Sequence, residues 1–338
     1  MSQLRSIPIP GAGRITLATL AVVPAVMAYP WDSTRAYWLV GIAAVVLVVL
    51  FGWWGGLHFT TMLGRRLAMA GRRGKPADQI GPATTTTALL RIGPPINDHD
   101  VLPLPVIAGY LDRYGIRADK IRITSRDNAS DPSRRETWVG ITISATDNLA
   151  ALQARSSRIP LQETAEVVAR RLADHLREIG WEANTVGIDD VPRLVTPKVS
   201  ESWAAVQRGA SDYVVAYQVI VDETLPETLE AIRSYPARET CTALEIADGP
   251  VAGRNTIAAA CAFLTERAPD GGQPVPGLIA QRGNQLPALV SLDLLSTQRL
   301  DGHTDAPDGV LAGLDWPTPA AGAHRATETR PLVEHDVV

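Results

Sequence analysis

Residues Tyr37–Trp54 read YWLVGIAAVVLVVLFGWW, an uncharged run with aromatic residues at both ends. Roughly 20 apolar residues at helical rise cross a hydrocarbon core of about 30 Å, so the length fits one membrane span. Tyr37 and Trp38 stand at one edge and Trp53 and Trp54 at the other. Those are the depths at which an interfacial aromatic belt sits. The stretch predicts a transmembrane helix anchored at Tyr37 and Trp54. A soluble core helix of that length would be expected to carry some charge on one face.

Upstream, Ile15–Tyr29 (ITLATLAVVPAVMAY) is a second apolar run, just after Arg14. It is short for a span, about 22 Å at helical rise. It can be read as a signal peptide, with Val26-Met27-Ala28 as a cleavage site. It can also be read as the first leg of a membrane hairpin with Ile15 and Tyr29 at its ends, lengthened by residues 11–13 and by Arg14 reaching the interface. The hairpin is the favoured reading, with Pro30-Trp31-Asp32 as its turn. Pro24 is tolerated inside a membrane helix.

Downstream, Arg65, Arg66, Arg72, Arg73 and Lys75 precede the next acid, Asp78, whereas the short loop between the apolar runs holds only Asp32 and Arg35. By the positive-inside rule, both ends of the hairpin and the large C-terminal region face the cytoplasm. The cluster Arg65, Arg66, Arg72 and Arg73 is either this topology signal alone or also a lipid-facing patch that attracts anionic headgroups. Phe59–Ala70 reads as a short helix leaving the membrane, and Gly74–Pro82 as a linker.

Beyond it the period changes. Thr84–Ile92, Lys120–Ser125 and Thr137–Ala145 read as strands, the last two as a hairpin. Leu104–Tyr114 reads as a helix ended by Gly115. Asn148–Ser156 reads as a helix. After Pro160, Leu161, Ala165, Val168, Leu172, Leu176 and Ile179 recur at threes and fours, which is a helix with one apolar stripe. Gly180 stands where a C-terminal cap belongs, and Trp181–Val186 follows as a strand. The order β-α-β-β-α-β is that of a split βαβ, ferredoxin-like unit. Tyr213–Val221, Pro226–Ser234, Glu239–Ala247 and Asn255–Thr265 repeat it in part as β-α-β-β, and Leu286–Leu295 reads as a last strand. The fold class is α+β, laid out as a cytoplasmic N-terminus (1–13), a two-helix transmembrane hairpin (14–55), a juxtamembrane helix and linker (56–82), a cytoplasmic mixed α/β domain (83–300) and a disordered tail (301–338).

The net charge of −4 gives no case for nucleic-acid binding. Cys241 and Cys261 make neither a disulfide framework nor a zinc site and read as buried, reduced thiols, in keeping with the cytoplasm. No P-loop, GxSxG, HExxH, CxxC or strand-to-helix GxGxxG occurs. The nearest thing to a catalytic group is Asp98-His99-Asp100. A D-x-D loop can hold a divalent ion against a nucleotide diphosphate, as in membrane-anchored glycosyltransferases, so an enzyme of that kind is the alternative reading. A solvated loop tip is the ordinary one, and Asp189-Asp190 reads no differently. His175 lies beside the helix stripe as a boundary residue. Arg170, Arg171 and Arg177 form either a partner-binding face or a solvated helix surface.

GYLDRYGIRADKIRITSRD (Gly109–Asp127), DNLAALQARSSRIPLQETAEVVARRLADHLREIGW (Asp147–Trp181) and LSTQRLDG (Leu295–Gly302) resemble EccE, a core subunit of the mycobacterial type VII (ESX) secretion membrane complex. The likeness covers nearly the whole chain and is nearest to the EccE of the ESX system linked to iron and zinc acquisition. It implies a non-catalytic inner-membrane subunit, without cofactor or metal, in a hetero-oligomer with EccB, EccC and EccD. EccC carries the motor, and no catalytic residue is carried over to this chain.

Overall fold

A computed structural model describes residues 12–30, 33–54, 57–72, 84–97, 101–129, 131–156, 159–195, 199–209, 211–249 and 253–319. The chain forms two compact units, Met1–Arg73 and Gly74–Val338.

The first unit contains α1 (Ala12–Met27), α2 (Thr34–Phe51) and α3 (Phe59–Arg72). Among the described residues, α2 is the one helix long and apolar enough to cross a membrane, and Ile15–Met27 is a shorter apolar helix. α2 begins earlier than Tyr37 because Ser33 caps it, its Oγ accepting from the Ala36 N–H at 3.3 Å. It ends at Phe51, not Trp54. A side chain at Gly52 would strike the Val48 carbonyl and the Phe59 ring, so the chain turns sharply there. Trp53–Trp54 then pairs antiparallel with Leu57–His58. Among the described residues of this unit Ala25, Ala36, Ala43 and Leu50 are buried, while Leu20 and Trp38 are each 70% exposed. Large apolar groups facing outward, with mostly alanines at the helix contact, suit helices solvated by lipid.

The second unit is built on one antiparallel sheet. Its elements are β1 (Thr85–Pro95), α4 (Leu104–Ala108), β2 (Ile116–Asn128), β3 (Asp131–Ser144), α5 (Leu149–Arg155), α6 (Leu161–Glu178), β4 (Trp181–Val186), β5 (Val199–Glu201), β6 (Val206–Arg208), β7 (Asp212–Val219), α7 (Leu225–Arg233), β8 (Glu239–Asp248), β9 (Asn255–Thr265), β10 (Leu278–Ala280) and α8 (Gln285–Leu292). The strands lie in the order β4-β1-β3-β2-β8-β9-β7-β6-β5, with β10 also on β7. The first half therefore runs fourth-first-third-second, the order of a ferredoxin-like unit. The second half repeats it as β10-β7-β9-β8. The two second strands, β2 and β8, meet in register from Lys120↔Ala247 to Asn128↔Glu239. Two split βαβ units thus share one sheet, related in topology by a two-fold axis between β2 and β8.

Side-chain alternation along these strands makes two cores. On one face Leu90, Ile92, Ile123, Val139 and Ile141 pack against the stripe Ala165, Val168, Leu172 and Leu176 of α6, and the sheet continues through Tyr217, Ile246 and Phe263. On the other, Val214, Cys241, Ala243, Ala258 and Ala260 pack under Leu286, Leu289 and Val290 of α8. Gly180 takes φ +91° and closes α6. Ile179, the last residue of the expected stripe, is the cap and is exposed. Cys241 and Cys261 are free and buried on opposite faces. Burial pushes the Cys241 thiol up to about 12 and raises that of Cys261. The halves differ where α6 has no counterpart. Residues 266–276, with Pro269, Gly271, Gly272, Pro274 and Pro276, cannot form a helix and leave a hollow of about 900 Å³ lined by Tyr217, Tyr235 and Phe263 among others.

Three expectations need correction. Leu286–Leu295 is not a strand but largely the helix α8. Its apolar residues at threes and fours lie on the sheet, and Gln285 fixes its start by accepting from Ala216 N–H at 2.7 Å and donating to Ala216 carbonyl at 3.3 Å. The helix at Leu104 stops at Ala108. Tyr114 and Gly115 both take positive φ (58° and 71°), turning the chain so that Asp112–Arg113 pairs with Ile116–Arg117. Residues 301–319 are not a loose tail. Thr304–Asp305 pairs with β9, and Trp316 is 1% exposed with its Nε1 donating to Ser125 Oγ at 2.9 Å. Residues 320–338 lie outside the described residues.

Candidate functional site

Two side-chain clusters stand out, one buried at the seam of the halves and one on the surface of α6. At the seam, β2 and β8 place Arg122 opposite Glu245. Arg122 Nε and Nη2 donate to Glu245 Oε2 at 2.8 and 2.6 Å, and Lys120 Nζ lies 3.3 Å from the same oxygen. Oε1 accepts from Leu300 N–H and from His303 Nε2–H, each at 3.0 Å. The cations also reach a covering strand of backbone. Arg122 donates to the carbonyls of Ser291, Asp293 and Gln298, and Lys120 to that of Gln298. The segment from Ser291 to His303 is thereby tied over the seam.

Burial pushes the Glu245 carboxyl up, but Arg122, His303 and Lys120 outweigh it and hold it well below the usual carboxylate range. Burial and then repulsion from Arg122 pull Lys120 down to about 7, against the attraction of Glu245. The folded pKa of Lys120 lies below its ordinary 10.5. Above pH 7 the folded chain has therefore shed a proton that the unfolded chain keeps, and stability rises with pH. We expect the melting temperature of the detergent-solubilised chain to climb from pH 7 to about 8, below the range where the two unfolded thiols, ordinarily at about 8.5, titrate far enough to reverse the slope. Lys120→Met should flatten that climb, and equal slopes in the two proteins would show that Lys120 does not titrate there.

On the surface, Arg170, Arg171 and Arg177 of α6 meet different neighbours. Arg177 pairs with Asp174 at 2.7 Å. Arg170 lines a different hollow with Gln162, Glu166 and Ile188. Arg171 lies over the Tyr114 ring, 4.5 Å from its centroid. Arg113 lies over Tyr110 and Tyr114 at 4.6 and 5.2 Å. The Tyr110 hydroxyl donates to the Arg171 carbonyl at 3.1 Å, and His175 Nδ1 is 3.3 Å from it. His175 is half-buried, the boundary residue its spacing predicts. The apolar spacing from Leu104 predicts a helix through Arg113 and Tyr114 and hides their place in a turn; the local signal for that turn is the Tyr114-Gly115 pair.

Asp189 and Asp190 are exposed in a 3-10 turn, Ile188–Asp190. Asp98, His99, Asp100 and Arg73 lie outside the described residues. Arg65, Arg66 and Arg72 are on α3, where Phe59, Leu63 and Leu67 are exposed. Among the described residues no group of His, Cys, Asp and Glu is placed to hold a metal ion.

A family profile described as "Putative type VII ESX secretion system translocon, EccE" matches residues 131–219. The chain is 59% identical over 321 residues to ESX-3 secretion system protein EccE3 of Mycobacterium tuberculosis strain H37Rv, covering 95% of this chain and 96% of that one. It is 47% identical over 290 residues to the protein of the same description from Mycolicibacterium smegmatis, covering 86% and 90%. The chain belongs to the EccE family. As an EccE protein it is a membrane-associated, non-catalytic structural subunit of a type VII (ESX) secretion system. The glycosyltransferase alternative built on Asp98 and Asp100 falls with that assignment. The EccE-like stretches map onto built features: Gly109–Asp127 onto the Tyr114 turn and β2, Asp147–Trp181 onto α5 and α6, and Leu295–Gly302 onto the segment tied to Glu245.

Proposed function

We propose that this chain is the EccE scaffold of an ESX-3 secretion complex, joining EccB-, EccC- and EccD-type components in the inner membrane as part of a hetero-oligomer. The observation that carries this reading is 59% identity to an ESX-3 protein over 95% of the chain. α1 and α2 form a multi-pass hairpin whose two termini are cytoplasmic. The arginines after α2 support that orientation, and the buried alanines of the first unit support close helix contact. Residues 56–82 connect the hairpin to the cytoplasmic domain, which extends past residue 300 to take in Trp316. Arg65, Arg66 and Arg72 meet anionic headgroups from the helix that also exposes Phe59, Leu63 and Leu67.

The test is the mass and composition of the complex recovered through a tag on this chain after gentle solubilisation of its native membrane. We expect the chain with the other core subunits in one particle. A chain recovered only as a free monomer would overturn the scaffold reading.

A further inference from the structure

We propose that Arg113, Tyr114 and Arg171 form a docking point for an acidic segment of another subunit, whose Asp or Glu carboxylates the two guanidiniums clamp. The proposal rests on the scaffold reading above and names the chemistry of one of its contacts.

Tyr114 is 52% exposed, and its backbone sits at φ 58°, a conformation that L side chains rarely adopt. Gly115 follows at φ 71° and could make the turn beside any neighbour. A strained backbone that presents a large exposed ring points to use of the ring. That ring holds Arg171 and Arg113 at 4.5 and 5.2 Å. A cation–π contact occupies the guanidinium without consuming its N–H donors. Arg113 keeps one marginal contact to His175 Nδ1 at 3.5 Å. Among the described residues, no carboxylate lies within ion-pair distance of either arginine, whereas Arg91, Arg117, Arg177 and Arg299 each have one. The result is a pair of pre-oriented cations with free donors beside an exposed tyrosine, the residue types in which binding energy concentrates at protein interfaces.

The surroundings select the class of partner. Asp112 and Glu178 are exposed on the same elements, and Asp174 is held by Arg177. These acids would repel a broad anionic bilayer but leave room for a peptide that delivers one or two carboxylates to the arginines.

The experiment uses the full chain in its membrane complex, with a photo-crosslinking phenylalanine analogue in place of Tyr114. The crosslinked peptide is expected to map to an Asp- or Glu-bearing segment of another subunit. Crosslinks to lipid alone, to a segment without acids, or to nothing would overturn the docking point. Separately, Arg113→Glu with Arg171→Glu should lower recovery of that subunit about tenfold or more, a loss of the size expected for charge-assisted bidentate contacts. Tyr114→Phe, which keeps the ring, and Arg170→Glu, on the other side of α6, should leave recovery unchanged. Melting curves equal to those of the wild-type chain establish that the variants fold. A wild-type chain that recovers no subunit removes the scaffold reading and the docking point together. A double reversal that recovers the subunits as well as wild type removes the docking point alone.

Discussion

Glu245→Ala is expected to destabilise the chain by about 3–5 kcal/mol, the usual loss when one partner of a buried ion pair is removed. The carboxylate is fully buried and touches Arg122, Lys120, His303 and the Leu300 N–H. Its removal leaves Arg122, and Lys120 where it is still protonated, with no counter-charge in a buried site. It also frees the backbone from Ser291 to His303, which is held partly by the same cations. Chemical denaturation of the solubilised chain reads the effect as a lower midpoint. Glu245→Gln keeps the shape and one acceptor but not the charge, and should fall between wild type and alanine. A triple variant with Glu245→Leu, Arg122→Met and Lys120→Met should recover only part of the loss: it removes the desolvation cost of the ions but leaves the Ser291, Asp293 and Gln298 carbonyls without their donors. A loss below about 1 kcal/mol for Glu245→Ala would put it in the range of an exposed ion pair and would show that water reaches the seam.

Why this cluster escaped the sequence follows from the distances along the chain. Lys120 and Arg122 lie on β2 among Ile121, Ile123 and Ser125, and a half-exposed strand would carry just such an alternation of charged and apolar residues. Their charge partner is far along the chain, on β8, and the covering carbonyls come later still, from Ser291 to Gln298. No local pattern signals that the face opposite the helices is also closed. The α6 stripe and the strands of the first half were legible because each is a property of a few consecutive residues, and the repeat β-α-β-β at Tyr213–Thr265 was visible for the same reason. That the two halves join through β2 and β8 was not, since antiparallel pairing of distant strands is fixed by side-chain packing across the seam. On the surface, spacing put Arg170, Arg171 and Arg177 on one helix, but what each meets is decided by other elements. Arg171 has Tyr114 from the turn before β2, Arg177 has Asp174, and Arg170 has neither.

Trp316→Ala should cost about 3–5 kcal/mol, the range for deleting a large buried aromatic side chain. By composition the chain after residue 301 lacks periodicity and resembles a linker, so a sequence reading alone expects truncation there to be harmless. The structure places Trp316 and Leu314 in the main core, against the face that α6 and α7 also cover. The indole Nε1 donates to Ser125 Oγ at 2.9 Å, and the next residue holds the same spot from the backbone, the Pro317 carbonyl accepting from Ser125 and Thr137 at 3.0 Å each. Because Ser125 keeps Thr137 and Pro317 when the indole is gone, the loss comes chiefly from the cavity and not from an orphaned hydroxyl. Trp316→Phe separates the two contributions: it fills most of the space and forfeits one hydrogen bond, for a loss nearer 1 kcal/mol. Truncation after Gly313 should be at least as damaging as Trp316→Ala, since it removes Leu314 and the Pro317 carbonyl as well. Truncation after Pro319 keeps all of these contacts. A Trp316→Ala midpoint within error of wild type would mean that the segment from 314 to 319 does not close the core, and that the domain ends where the periodicity does.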